Sequence, residues 1–330
     1  MLAAMGRTEQ VVVQPRVRAY MLSLGDAGQR WLEALSDRVT CLQAEWDLVL
    51  GPSLPGGISS FVCRVTTGGA EPAVLKIALP GPGFDAEAAV LGAARGEGYA
   101  HLLQVDAQRG AMLLEGAAQP LDRTSTDVPA ALDLLARTLL RAWRVPVSVA
   151  PPVDRTTHKA ATLAALIERL AGCDTVREAG LRPATDVVDR ALACAGELLD
   201  RRDETRQVVV HGDPHPENLL RLRQGRPGAE AGYVFVDPDG FRCEPEYDLG
   251  TAVREWNHHL LGLADPVATV RSWCTQLATL TGCDEELIWR WGFAERVCTG
   301  LYLTHHGMPG LGAPFLQVAT RMLRAGAGRT

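Results

Sequence analysis

The chain has 330 residues, 47% apolar and 22% charged, which is enough apolar material for a buried core and excludes a disordered chain. Its net charge of −6 argues against a nucleic-acid partner, and no run of about 18 uninterrupted apolar residues offers a membrane span. Arg7 near the start has no apolar stretch behind it, so no secretory leader is expected. The eight cysteines are scattered without a Cys-x-x-Cys pair, which reads as reduced thiols in a cytoplasmic protein.

In chain order, Trp31, Leu32, Leu35, Val39, Leu42 and Trp46 recur at steps of three and four, predicting a helix over 26–46. Short β-branched or apolar runs at 48–50, 61–66, 73–78, 102–106 and 111–114, punctuated by Gly and Pro, predict strands. One helix, 85–95, interrupts them. After Gln119 and Pro120 the pattern turns helical over 128–143, 158–170 and 185–201. Two brief strands follow, 207–210 and 233–236, each running into an acidic segment, and 247–323 reads as further helices. The expected class is α+β: a β-rich lobe over 1–116 and a larger helical lobe over 117–330. Of 33 basic residues only two are lysines, Lys76 and Lys159, which marks each of them as a candidate for a specific role.

The stretch 208–220 reads Val-Val-Val-His-Gly-Asp-Pro-His-Pro-Glu-Asn-Leu-Leu. Polar groups at a strand end are held rigidly yet exposed, where reacting side chains tend to sit. Asp213 followed five residues later by Asn218 has the spacing of a phosphotransfer loop. Asp213 could take a proton from a substrate hydroxyl, and Asn218 could give an oxygen to Mg²⁺. Two other readings stay open at this point: His211, Asp213 and His215 as ligands of a metal hydrolase, or a polar loop without chemistry. The strand 233–236 ends in Asp237-Pro238-Asp239-Gly240, 19 residues after Asn218. A hard cation needs few protein oxygens, and Asp237 with Asn218 would suffice.

Lys76 is flanked by apolar residues on a predicted strand, and Glu87 follows 11 residues later on a predicted helix. A buried lysine needs an anionic partner, and such a pair could position phosphates; an edge-strand lysine facing water is the alternative. The segment 53–60, Ser-Leu-Pro-Gly-Gly-Ile-Ser-Ser, could cradle phosphate oxygens through Ser59, Ser60 and backbone N–H groups, although most such segments are plain hairpin loops. Backbone groups of Glu115 and Ala117, at the lobe boundary, are candidates for an adenine edge.

Together with Glu45-Trp46-Asp47-Leu48 and Glu246-Tyr247-Asp248-Leu249, these motifs resemble the aminoglycoside phosphotransferase family of the protein-kinase-like fold. The likeness is to its aminoglycoside/hydroxyurea antibiotic-resistance branch, streptomycin 6-kinase included. The resemblance runs over about 26–255 and implies a two-lobed kinase using ATP or GTP with Mg²⁺. It makes Asp213 the base, Asn218 and Asp237 metal ligands, Lys76 a phosphate contact, and His211 and Asp248 structural. Pro214 departs from the leucine usual after the base. The last 70 residues match least, and they shape the acceptor site.

Residues 231–300 hold 11 acidic and 5 basic residues, so the whole net charge lies there. An acidic wall would attract a cationic acceptor, with Glu255, Glu295 and His215 as candidate contacts, although acids on solvated helix faces explain many of these charges. The expected activity is phosphorylation of a hydroxyl on a cationic antibiotic of aminoglycoside type, by a monomer or homodimer. The alternatives are a kinase of a sugar, amino alcohol or biosynthetic intermediate, and a nucleotide-binding pseudokinase.

Overall fold

The computed structural model describes residues 11–54, 57, 59–121, 127–181, 183 and 185–327. Two helices lead the chain, α1 (Pro15–Ser23) and α2 (Asp26–Glu45). The sequence reading contains only the second, because nine residues with few apolar side chains leave too short a helical stripe to detect. Then come β1 (Leu48–Ser53), β2 (Ser60–Thr67), β3 (Pro72–Ala78), α3 (Pro82–Ala94), β4 (Leu102–Asp106) and β5 (Ala111–Glu115). The five strands form one antiparallel sheet in the order β1-β2-β3-β5-β4.

Alternation along β3 sorts this lobe into two faces. Ala73, Leu75 and Ile77 join Trp31, Leu35, Val39 and Leu42 of α2 and Val17 and Met21 of α1 in one core. The Trp31 indole N–H donates to the Ala78 carbonyl at 2.9 Å, fastening α2 to the end of β3. The opposite face carries Val74 and Lys76. Because β3 is the middle strand, Lys76 pairs with Val62 on one side and Met112 on the other, and it is only 6% exposed. That removes the edge-strand alternative.

The second lobe comprises α4 (Val128–Ala142), α5 (Lys159–Ala171), α6 (Asp174–Glu178), α7 (Thr185–Asp200), β6 (Val208–Val210), β7 (Leu219–Arg221), β8 (Tyr233–Phe235) and β9 (Phe241–Cys243), followed by α8 (Glu246–Val253), α9 (Asn257–Leu261), α10 (Pro266–Thr281), α11 (Glu285–His305) and α12 (Pro309–Ala327). β6 pairs with β9 and β7 with β8. At three residues each, β7 and β9 are too short to show alternation, and the sequence reading missed them. The first lobe meets the second where Gly98 and Ala100 hydrogen-bond Phe235 of β8, and just past the boundary Ala118 and Leu121 donate to Arg221 and Leu219 of β7.

Helices α8 and α11 approach closely through glycines. A Cβ at Gly250 would lie 2.3 Å from Trp291 Cβ, and one at Gly292 would lie 2.6 Å from Val253 Cγ2. Only hydrogen at these positions lets the two backbones come together. No helix among the described residues is long and apolar enough to cross a membrane.

Candidate active site

Short strand β6 delivers the chain into His211–Asn218, and the first turn of α8 braces it. Asp248, wholly buried, accepts from the N–H groups of His211 (2.8 Å) and Gly212 (2.9 Å) and from the Trp143 indole (2.8 Å). Burial pushes its carboxyl up to about 6 against the pull of those three donors, so it remains an anion at neutral pH. Gly212 has φ +96°, and a Cβ there would meet the Asp239 side chain at 2.5 Å. The glycine of the His-Gly-Asp motif is therefore demanded by both backbone and space.

His211 uses both ring nitrogens. Nδ1 accepts from the Asp213 N–H at 3.2 Å, which leaves Nε2–H to donate to the Val236 carbonyl at 2.9 Å. The ring also packs on Tyr99 and Phe235. Neither nitrogen can bind a metal, which removes the metal-hydrolase alternative. Burial lowers the His211 pKa from 6.5 to about 4, so the fold holds the neutral ring. The sign follows: this contribution is whole above pH 6.5 and is lost as pH falls, because the unfolded chain takes up the proton first. The loss approaches about 3 kcal/mol by pH 4. In His211→Gln the drop in unfolding free energy between pH 7 and pH 4 should shrink by that order. Denaturant titrations at the two pH values check it, and an unchanged drop would contradict the neutral assignment.

The two strand-end loops are stitched together: the Val236 N–H donates to the Asn218 carbonyl at 3.0 Å and the Asp239 N–H to the His211 carbonyl at 2.7 Å. Asn218 Nδ2 donates to the Asp213 carbonyl at 3.1 Å, so its side-chain oxygen is turned away from that contact. Asp237 sits next to it in the left-handed region, φ +59°, unusual for a non-glycine residue and typical of a constrained site. Its Oδ1 takes a 2.7 Å contact from Lys76 Nζ, which also bonds both Glu87 oxygens at 2.6 and 2.7 Å. Burial disfavours the Lys76 charge, but Asp237 and Glu87 outweigh it and hold the ammonium. Lys76 in turn keeps Asp237 below its usual range despite burial. These three residues share a cleft of about 440 Å³ with Ser59. Ser60 is 3% exposed in the ladder with β3, so of the two serines only Ser59 lines this cleft. Pro55, Gly56 and Ile58 of that loop lie outside the described residues.

At the other strand end, the Glu115 N–H is committed to the His101 carbonyl at 2.9 Å, and its carboxylate is held by Arg226 and the His101 N–H. The adenine-edge expectation narrows to the Glu115 carbonyl and Ala117.

The largest surprise is Arg254, just past α8. Its buried guanidinium bonds Asp213 Oδ1, Glu295 Oε2 at 3.0 Å and, more loosely, Glu255 Oε1 at 3.4 Å. Against burial, Arg254, then His215 and His211, keep the Asp213 carboxyl below its ordinary value. His215 Nε2 lies 3.4 Å from Asp213 Oδ2, and its Nδ1 meets Glu217 at 2.9 Å. Glu255, Glu295 and His215, the three candidate acceptor contacts, thus converge on Asp213, two of them through an arginine that the sequence reading did not single out. Lys159 lies over the rings of Phe241 and Tyr247 with Nζ 3.8 Å from Glu295 Oε1. The scarcity of lysine was a signal for it, spent on Lys76 alone. Asp239, pushed up to about 6 by burial and then by Asp213, is also part of this cluster.

Much of the acidic excess does other work. Asp265 and Asp284 cap α10 and α11, Glu244 bonds buried His158, and Glu246 pairs with Arg206. Around Asp213 there remain five carboxylates (Asp213, Glu217, Asp239, Glu255, Glu295) against Arg254, Lys159 and His215.

Comparison with known proteins bears on the family and the fold. A family model described as aminoglycoside/hydroxyurea antibiotic resistance kinase matches residues 45–307. No curated protein sequence matches. Among solved structures, the choline kinase LicA from Streptococcus pneumoniae superposes with a TM-score of 0.57 at 15% identity, covering 89% of this chain and 99% of that one. The aminoglycoside phosphotransferase APH(4)-Ia gives 0.57 at 14%, covering 88% and 99%. Amicoumacin kinase hAmiN, solved with AMP-PNP, Ca²⁺ and Ami, gives 0.57 at 11%, covering 88% and 96%. At such identities the likeness establishes the two-lobed, protein-kinase-like fold.

Proposed function

The chain belongs to the aminoglycoside/hydroxyurea antibiotic resistance kinases, small-molecule phosphotransferases acting on hydroxyl groups, and from that premise we propose that it moves the γ-phosphoryl group of ATP or GTP onto a cationic, hydroxyl-rich antibiotic of aminoglycoside type. The observation that carries the reading is the pair of loops held together by Val236–Asn218 and Asp239–His211, which sets the loop bearing Asp213 and Asn218 beside Asp237 at the rim of the cleft that holds Lys76.

Asp213 acts as base. Its side chain is 40% exposed, an anion at neutral pH, and can receive the proton of an acceptor hydroxyl. Asn218 Oδ1 and the Asp237 carboxylate are hard oxygen donors on adjacent loops, a set that fits Mg²⁺, which would neutralise the phosphate oxygens when bound. Lys76, fixed by Glu87, exchanges its contact with Asp237 for a phosphate oxygen. The surplus of carboxylates around Asp213 favours a cationic acceptor.

The experiment is a panel of aminoglycosides, other cationic antibiotics and small neutral alcohols, read by nucleoside diphosphate release. Acceptor kcat/KM should fall steeply between about 0.05 and 0.5 M salt, with nucleotide KM changing less. Glu255→Gln should raise acceptor KM and flatten that dependence. A neutral acceptor, or indifference to salt, would remove the electrostatic argument and favour the kinase of a sugar, amino alcohol or biosynthetic intermediate.

A further inference from the structure

The cleft holding Lys76, Glu87 and Asp237 has a wall that the motifs do not supply: Tyr20 and Leu24, at the end of α1, line it together with Ser59. Both precede residue 45, where the family match begins. The helix is built for this placement. Val17, Tyr20, Met21 and Leu24 recur at steps of three and four along one stripe: Val17 and Met21 are buried in the small-lobe core, Tyr20 packs partly against it, and Tyr20 and Leu24 at the edge of that stripe border the cleft. Two ties hold the N-terminal segment on the lobe: the Trp31 indole on the Ala78 carbonyl, two residues past Lys76, and Ser53 Oγ on the Val12 carbonyl at 2.9 Å.

The chemistry of the lining matters most. Among the described residues that line it, three side chains carry hydrogen-bond donors: Lys76, Ser59 and Tyr20. Lys76 lies at the metal end, between Glu87 and Asp237. An anion with several oxygens in this cleft needs donors on its far side as well, and Tyr20 and Ser59 are the side chains that can give them. Leu24, 39% exposed beside Tyr20, would shield such an anion from water.

We infer that α1 is part of the nucleotide site, with the Tyr20 hydroxyl donating to the terminal phosphate of the triphosphate. This rests on the nucleotide reading of the cleft. The test is calorimetric binding of Mg²⁺·AMP-PNP and Mg²⁺·ADP to the full chain and to Tyr20→Phe, a variant that keeps the ring and its packing. Loss of a hydrogen bond to a charged oxygen should weaken AMP-PNP about tenfold and ADP by less than about twofold. Equal loss for both nucleotides, or none for either, overturns the assignment of Tyr20 to the terminal phosphate. Wild-type protein that binds neither nucleotide is a different failure, since it sinks the nucleotide reading of the cleft before any variant is made.

Discussion

Asp213→Asn should fold normally, bind Mg²⁺·nucleotide with wild-type affinity, and turn over about two to four orders of magnitude more slowly. The amide keeps the shape and can still accept a bond from Arg254, which retains Glu295 and Glu255 as anionic partners. No buried charge is left uncompensated, so stability should change little. What disappears is the capacity to take up the proton of the acceptor hydroxyl. Thermal unfolding, calorimetry with a non-hydrolysable nucleotide and single-turnover transfer to the acceptor found in the panel separate these effects. Near wild-type turnover would refute the assignment of Asp213 as base.

Asp248→Ala should be a lesion of stability instead. Its carboxylate is the shared acceptor for three buried donors, on His211, Gly212 and Trp143, and alanine leaves them all without a partner. The expected cost is about 3–5 kcal/mol, a large part of the roughly 5–15 kcal/mol that holds a typical domain together. Asp248→Asn retains one oxygen and should lose less. Denaturant midpoints at neutral pH give both values. A midpoint for Asp248→Ala within about 0.5 kcal/mol of wild type would show that the loop is braced by something other than this carboxylate.

What could be read from the sequence was what is local. The β3 stripe, the helix carrying Trp31 and the strand-to-loop switch before His211 depend on neighbours a few residues apart, and each is found close to its expected bounds. Lys76 with Glu87 was legible for a similar reason, because a buried lysine demands an anion and an acid lay one element away. Arg254 was not. Its partners Asp213 and Glu295 are each 41 residues distant, and no periodicity connects them. The acidic excess could be counted in the sequence but not divided by role, since the caps and buried pairs that consume much of it are set by the fold. Helix α1 was invisible because nine residues carry little pattern, although Tyr20 at its end borders the cleft.

The glycine contact between α8 and α11 has one more implication. Asp248, which sets the loop carrying Asp213, and Glu295, which anchors Arg254 on the far side of it, lie on two helices whose spacing is set at Gly250 and Gly292 by main chain against main chain. That contact works as a gauge. Side chains at the open ends of the two helices can vary while the separation between brace and anchor stays constant. Glu255, bonded to Arg254 beside Asp213, lies outside that protection, so a change there reaches the Asp213 carboxylate through a single arginine.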